Sequence, residues 1–236
     1  MRHVVVISDA EPDDGAVAAL EELGVATASE AMDRTGLLDR VIRPVYAGAR
    51  IAGRAVTVLC QAGDNLMIHA AVEQCRPGDV LVVATMSPST DGMFGDLLAA
   101  AVQARGVKGL VIDAGVRDIA ELKEMDFPVW AREVSAMGTV KATAGSVNVP
   151  VVIAGAVVRP GDVVVADDDG VVIVPLECAK ETAELARERS VMEAEKREML
   201  KSGTPSLDVL NLRESLQRLG VQYVQGLVST PDAAQL

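Results

Sequence analysis

The chain reads as a mixed α/β protein, and three observations carry that reading. Apolar stretches at helical spacing alternate with short runs dominated by Val and Ile. The pentapeptide Arg-Pro-Gly-Asp-Val occurs at residues 76–80 and again at 159–163, each time opening a Val-rich run, and Pro-Gly suits the centre of a type II turn. Half of the 236 residues are hydrophobic, enough to bury one substantial core. The stretches between the two turns do not match, so the pair is not a tandem repeat.

Taken in order, residues 16–23 and 27–34 have the spacing of short helices, followed by extended segments around 41–45 and 55–60. Residues 65–73 turn helical after Gly63-Asp64, and the stretch 97–102 is a helix opened by Gly95. The run Gly109-Leu110-Val111-Ile112-Asp113 has the composition of a buried strand, turning through Ala114-Gly115-Val116 into Arg117-Asp118 and a helix over 119–124. From 149 to 174 the chain is Val, Ile and Ala broken by Gly155, Pro160-Gly161 and the acidic hairpin turn at 167–170, which predicts several short strands. Pro175 marks the end of this core, giving a domain over 1–175 and a helical arm over 176–236. The arm is a charged helix over 177–201, a break at Gly203-Thr204-Pro205, a second helix over 207–219, and a frayed end at 229–236.

Composition removes several function classes. A formal charge of −12 argues against a nucleic-acid partner, which needs a basic footprint. Two Phe, two Tyr and one Trp leave little for base stacking. No apolar run approaches the roughly twenty residues that cross a bilayer, and residues 1–7 lack a signal-peptide pattern, so the expectation is a cytoplasmic protein with no membrane partner. Cys60, Cys75 and Cys178 are odd in number and widely spaced, which predicts buried reduced thiols rather than disulfides or a zinc cluster.

The chemistry-bearing pattern is Phe94-Gly95-Asp96-Leu97-Leu98, followed after twenty intervening residues by Arg117-Asp118. A glycine turn opening a helix presents unpaired amides that attract a carboxylate or phosphate. Arg117 can hold an oxyanion through paired planar donors, and Asp118 can bind a hard cation. The plainer reading makes Arg117 and Asp118 a helix-start ion pair and Asp96 an N-cap, since Gly-Asp recurs at Gly63-Asp64, Gly78-Asp79 and Gly161-Asp162 as turn chemistry. An acidic protein that binds a polyanion must gather its cations locally, which gives Arg117 added weight. His69 reads as a satisfied core histidine, and Asn65 as a helix cap or a substrate contact.

Gly24-Val25-Ala26-Thr27, Gly63-Asp64-Asn65, residues 91–98, residues 112–118, Glu124-Met125-Asp126-Phe127-Pro128-Val129-Trp130 and residues 167–172 together resemble the 4-hydroxy-4-methyl-2-oxoglutarate/4-carboxy-4-hydroxy-2-oxoadipate aldolases. The resemblance covers nearly the whole chain. It implies a layered α/β/β core of the swivelling-domain type, and a class II aldolase of aromatic-acid degradation that releases pyruvate from an oxo-acid substrate, with oxaloacetate decarboxylation as a side activity. It implies Mg2+ or Mn2+ held by Asp118 and waters, Arg117 against the developing oxyanion, Gly95 and the backbone N–H groups of Leu97 and Leu98 around the pyruvyl carboxylate, and Asp96 orienting a water on the metal. The Leu97 and Leu98 side chains are then free to be core residues. It also implies a homo-oligomer, trimer or hexamer, whose arm brings a glutamate to a neighbour's metal waters; Glu193 is the first candidate and Glu195 the second.

Two alternatives stay open beside that reading. A Schiff-base aldolase needs a desolvated lysine, and Lys108, Lys123 and Lys141 stand near polar or turn-like residues. The wider superfamily also contains protein regulators of ribonuclease E, generally shorter, which makes a non-catalytic RNase regulator the rival function.

Overall fold

The computed structural model describes residues 3–226. The described chain runs through helix α1 (Asp14–Ala31), strands β1 (Arg43–Pro44) and β2 (Ile51–Cys60), α2 (Leu66–Val72), β3 (Val80–Thr85), β4 (Gly92–Phe94), α3 (Asp96–Gln103), β5 (Gly109–Val116), α4 (Ile119–Glu124) and β6 (Val129–Val134). Short strands β7 (Ser146–Val147), β8 (Val151–Ile153) and β9 (Ala156–Val158) lead to the hairpin β10 (Val163–Asp167) and β11 (Gly170–Val174). The long helix α5 (Ala179–Lys201) and two short ones, α6 (Ser206–Val209) and α7 (Arg213–Arg218), follow.

The main sheet has the order β1-β6-β5-β3-β2-β10-β11, with β4 added on β5 and β7 on β2. Its centre, β2, β3, β5 and β6, is parallel. Parallel strands are buried on both faces, and their alternation decides which layer each side chain feeds. Val56, Val58, Leu81, Val83, Leu110 and Ile112 pack on one side with Ile68, Leu98 and Leu122 from α2, α3 and α4. Ala55, Val80, Val82, Val111 and Trp130 point the other way, onto Ile153 and Val158 of the β8–β9 hairpin and Val164 and Ile173 of β10 and β11. Helix, sheet and strand layers thus give the α/β/β arrangement.

The sheet curls until its ends nearly meet. Leu38 N donates to Val171 O at 3.0 Å and Ile173 N to Gly36 O at 2.9 Å, so residues 36–38 pair along β11 before the chain turns onto the β6 edge as β1. Arg43 of β1 reaches across the remaining gap and donates to the carbonyls of Asp168 and Asp169, at 2.8 and 2.9 Å. Trp130, fully buried, donates its indole N–H to Asp167 O at 2.8 Å, tying β6 to the same hairpin. On the outside, Leu20, Val25 and Ala28 of α1 and Ala179 and Ala183 of α5 cover Val163, Val165 and Val172.

Both Arg-Pro-Gly-Asp turns form as expected. Gly78 and Gly161 have φ of 90° and 94°, and each turn's Asp accepts from its Arg N–H, at 2.6 Å from Arg76 and 2.7 Å from Arg159. The two helices expected over 16–23 and 27–34 are the two halves of α1, which break at the non-helical Gly24 (φ 79°), the second half ending at Ala31 rather than residue 34. Two expectations need correction. Ala114-Gly115-Val116 continue β5 instead of turning, because β4 and β6 pair with them on either side. The expected helix over 207–219 is split into α6 and α7, with Asn211 at φ 55° between them.

The chain divides into two compact units, Met1–Ser190 and Val191–Leu236. In the second, Arg213 pairs with Asp208 across the α6–α7 break. The expected fraying at 229–236 lies outside the described residues. Cys60 and Cys75 are buried free thiols, each pushed up to about 12 by burial, while Cys178 is half-buried and also free. Among the described residues no helix is long and apolar enough to cross a membrane.

Candidate functional site

A cleft of about 160 Å³ opens where β4, the start of α3, the end of β5, α2 and the loop after β6 converge. Its charged wall is Asp96, Arg117 and Lys141, with His69 and Asn65 beside them. In a chain of net charge −12, two of the three formal charges here are positive, the local gathering of cations that an anionic ligand needs.

Gly95, not Asp96, is the N-cap residue of α3. The first helical bond is Ala99 N to Gly95 O at 3.0 Å, and Asp96 N donates to Asp118 Oδ2 at 3.2 Å. That leaves the N–H groups of Leu97 and Leu98 with no acceptor among the described residues, at a helix end whose dipole favours negative charge. Leu98 is core, as expected, but Leu97 is 79% exposed and lines the cleft mouth. Helical spacing identified the amphipathic stretch without showing that its apolar stripe is too narrow to take both leucines.

Arg117 and Asp118 close the other side. Arg117 N donates to Phe94 O at 2.9 Å, and its Nε lies 3.4 Å from Asp118 Oδ2. Asp118 sits at φ 58°, a left-handed conformation for a non-glycine residue and an observed strain at the junction of β5 and α4. Gly95 is required by space, since a Cβ there would stand 2.2 Å from Asp118 Oδ2. The sequence pattern therefore folds into one constellation in which Gly95 admits Asp118, Asp118 holds the Asp96 amide and Arg117, and two helix-start amides stay open. The ion-pair reading of Arg117 and Asp118 is correct as geometry and compatible with a ligand role.

Asn65 lies behind this group, 7% exposed. Its Nδ2 donates to Met93 O at 2.9 Å, which fixes the amide orientation, and its Oδ1 is buried with no partner. An orphaned acceptor lining a cleft is poised for a ligand hydroxyl. Asn65 is the N-cap residue of α2, as the cap reading expects, but its side chain makes no capping hydrogen bond.

His69 corrects an expectation, being an exposed residue on the cleft wall rather than a core histidine. Partial desolvation, then the charge of Lys141, push it below its ordinary value. Gly138, Thr139 and Lys141 from the loop after β6 were not sequence candidates for a ligand contact. No motif marks them, and only the tertiary fold brings them within reach. Lys141 forms no ion pair among the described residues.

For a metal, the donor set is two neighbouring carboxylates, Asp96 and Asp118, joined through the Asp96 amide. Among the described residues no three His, Cys, Asp or Glu side chains converge as a cage. Asp118 as a single hard oxygen ligand, with Asp96 placed to hold a water, fits a cation of the magnesium kind, which keeps most of its water. Glu193 and Glu195 stand on the portion of α5 that belongs to the second unit, Glu193 half-buried and Glu195 exposed.

The family model described as RraA-like, aldolase/RraA, matches residues 25–173. A Halalkalibacterium halodurans protein named "Putative 4-hydroxy-4-methyl-2-oxoglutarate aldolase" is 34% identical over 147 residues, 62% of this chain and 70% of that protein. A Burkholderia multivorans protein of the same name is 37% identical over 137 residues, 58% of this chain and 83% of that protein. Among solved structures, a Streptomyces coelicolor member of the RNase ES inhibitor RraA protein family superposes with a TM-score of 0.70 at 30% identity, over 79% of this chain and 98% of that one.

Proposed function

Because this chain belongs to the RraA-like aldolase/RraA family, we propose that it is a divalent-metal-dependent class II aldolase releasing pyruvate from 4-carboxy-4-hydroxy-2-oxoadipate, 4-hydroxy-4-methyl-2-oxoglutarate or both, in aromatic-acid degradation. The observation that carries the reading is the convergence of Arg117, two open helix-start amides and Asp96 on one cleft of an acidic protein, with Asp118 bonded to the Asp96 amide and paired with Arg117 at its edge.

Breaking the C3–C4 bond takes the proton from the C4 hydroxyl, forms a carbonyl at C4, and sends the bonding pair toward C3 and the C2 oxygen as the enolate of pyruvate. Proton return to C3 completes the products, pyruvate with oxaloacetate or a second pyruvate. Mg2+ or Mn2+ at Asp118 would supply a Lewis acid for the enolate charge. Arg117 stabilises the same oxyanion, which acts mainly in the transition state. The Leu97 and Leu98 amides hold the pyruvyl carboxylate beside Gly95. Asn65 Oδ1 accepts from a substrate hydroxyl. Asp96, through water, takes and returns the proton. Decarboxylation of oxaloacetate passes through the same enolate and is a side activity.

The site is completed in a trimer or hexamer, where Glu193, or else Glu195, of a neighbour reaches the waters beside Asp96. The second reading, a non-catalytic RNase regulator, is favoured by the likeness to the RNase ES inhibitor family and by the acidic charge. A lactate-dehydrogenase-coupled assay on chelator-treated protein separates the two. Pyruvate release from 4-carboxy-4-hydroxy-2-oxoadipate restored by Mg2+ or Mn2+ is expected, and its loss in Asp118→Asn assigns the ligand. No release with either metal, together with inhibition of an RNase, overturns the aldolase reading.

A further inference from the structure

Asp64, in the Gly63-Asp64 turn, is 2% exposed. Its Oδ1 accepts from Leu66 N at 2.9 Å at the start of α2. Its Oδ2 accepts from Ala142 N at 2.8 Å and Thr143 N at 2.7 Å, far along the sequence. Val140 N donates to Gly63 O at 3.0 Å and Asn65 N to Val140 O at 3.1 Å, flanking the carboxylate with two main-chain bonds. Among the described residues, these bonds to residues 63–65 are the main-chain hydrogen bonds that hold residues 138–145. Burial opposes the Asp64 charge, and the donated N–H bonds outweigh it, leaving the carboxyl below its ordinary range.

Both joined segments deliver cleft residues. Asn65 and His69 come from one side, Gly138, Thr139 and Lys141 from the other, while Asp64 itself is not part of the lining. Gly138 sits against Arg117, whose Nη1 would lie 3.6 Å from a Cβ built there. The separation of Lys141 from Arg117 is therefore governed by a loop fastened to residues 63–65 by two main-chain bonds at Val140 and by the buried Asp64 carboxylate just beyond Lys141.

We propose that Asp64 is a positioning residue that fixes the 138–143 loop so that Lys141 receives the second carboxylate of a dianionic oxo acid whose first end lies at Arg117. This deepens the aldolase reading and rests on it for the identity of the ligand. Asn cannot replace the carboxylate, because an amide offers one oxygen to three N–H groups and turns a donor on the rest.

A double-mutant cycle on the full-length protein tests the coupling. Asp64→Asn and Lys141→Met should each raise KM for 4-carboxy-4-hydroxy-2-oxoadipate on the order of 10-fold with kcat nearly unchanged, the pattern of lost ground-state binding. The double variant should be no worse than the poorer single one, since one residue acts through the other. Multiplying KM effects, or a fall in kcat with KM intact, overturns the proposal. Calorimetric titration with glutarate, a non-reacting dianion, runs the same cycle without turnover. A protein that cleaves no oxo acid but shows coupled glutarate binding loses the aldolase reading and keeps this one, whereas no glutarate binding by the parent protein overturns it. If Asp64→Asn does not fold, hydrogen exchange on the parent protein decides. The Ala142 and Thr143 amides should be protected like those of β7, and free exchange overturns the clamp.

Discussion

Arg117 concentrates the chemistry of the cleft in one side chain. It is 45% exposed, paired at 3.4 Å with Asp118, and lines the same cleft as Leu97 and Leu98, so it remains available to a ligand. Arg117→Ala should lower kcat by an amount on the order of 2.7–4 kcal/mol in barrier, the effect of losing one oxyanion donor. Steady-state kinetics check this, and a change confined to KM would reassign Arg117 to binding alone. The Asp96, Arg117, Asp118 set was legible in the sequence because a glycine before a helix and a strand end before a helix are local signatures. His69 and Leu97 were misplaced because periodicity reports a stripe, not which neighbour covers it. Asp64 was illegible as more than a turn, since its partners, Ala142 and Thr143, are fixed only by tertiary structure.

At the scale of elements, the strands were foreseen where they are Val-rich and truncated where they are Gly-rich. Gly115 ends an apolar run on paper, yet it belongs in β5 because a Cβ would stand 2.2 Å from Thr90 O, so only glycine lets the neighbouring chain approach. Trp130 shows the reverse case, an aromatic whose polar edge fixes its place. Trp130→Phe keeps most of the buried area and removes the N–H donor to Asp167 O. The expected cost is about 0.5–1.5 kcal/mol, read as a lowered urea midpoint with unchanged m-value; an unchanged midpoint would mean that the bond adds nothing to the β6–hairpin junction.

For the whole molecule, the shared-site proposal makes a mixing prediction. Arg117→Ala and Glu193→Gln variants, each impaired alone, should regain activity when co-assembled, because about a quarter of the sites at equal mixing would draw both native residues from different subunits in a head-to-tail ring. Light scattering should show a trimer or hexamer in both parents. Failure to recover activity in mixed oligomers would place the whole site in one chain. Nothing in a single sequence encodes such pairing, since the spacing of a motif carries no information about a second copy.

The same architecture bears on solubility through the seam of the curled sheet. An open sheet would leave β11 and β6 with rows of unpaired amides and carbonyls, templates for a stranger's strand. Here residues 36–38 occupy one row, the two-residue β1 occupies part of the other, and the Arg43 fork takes the two carbonyls at the turn between β10 and β11. Cross-chain fibril growth along that border is thereby denied a starting edge, and a charge-neutral replacement at Arg43 would expose its weakest point.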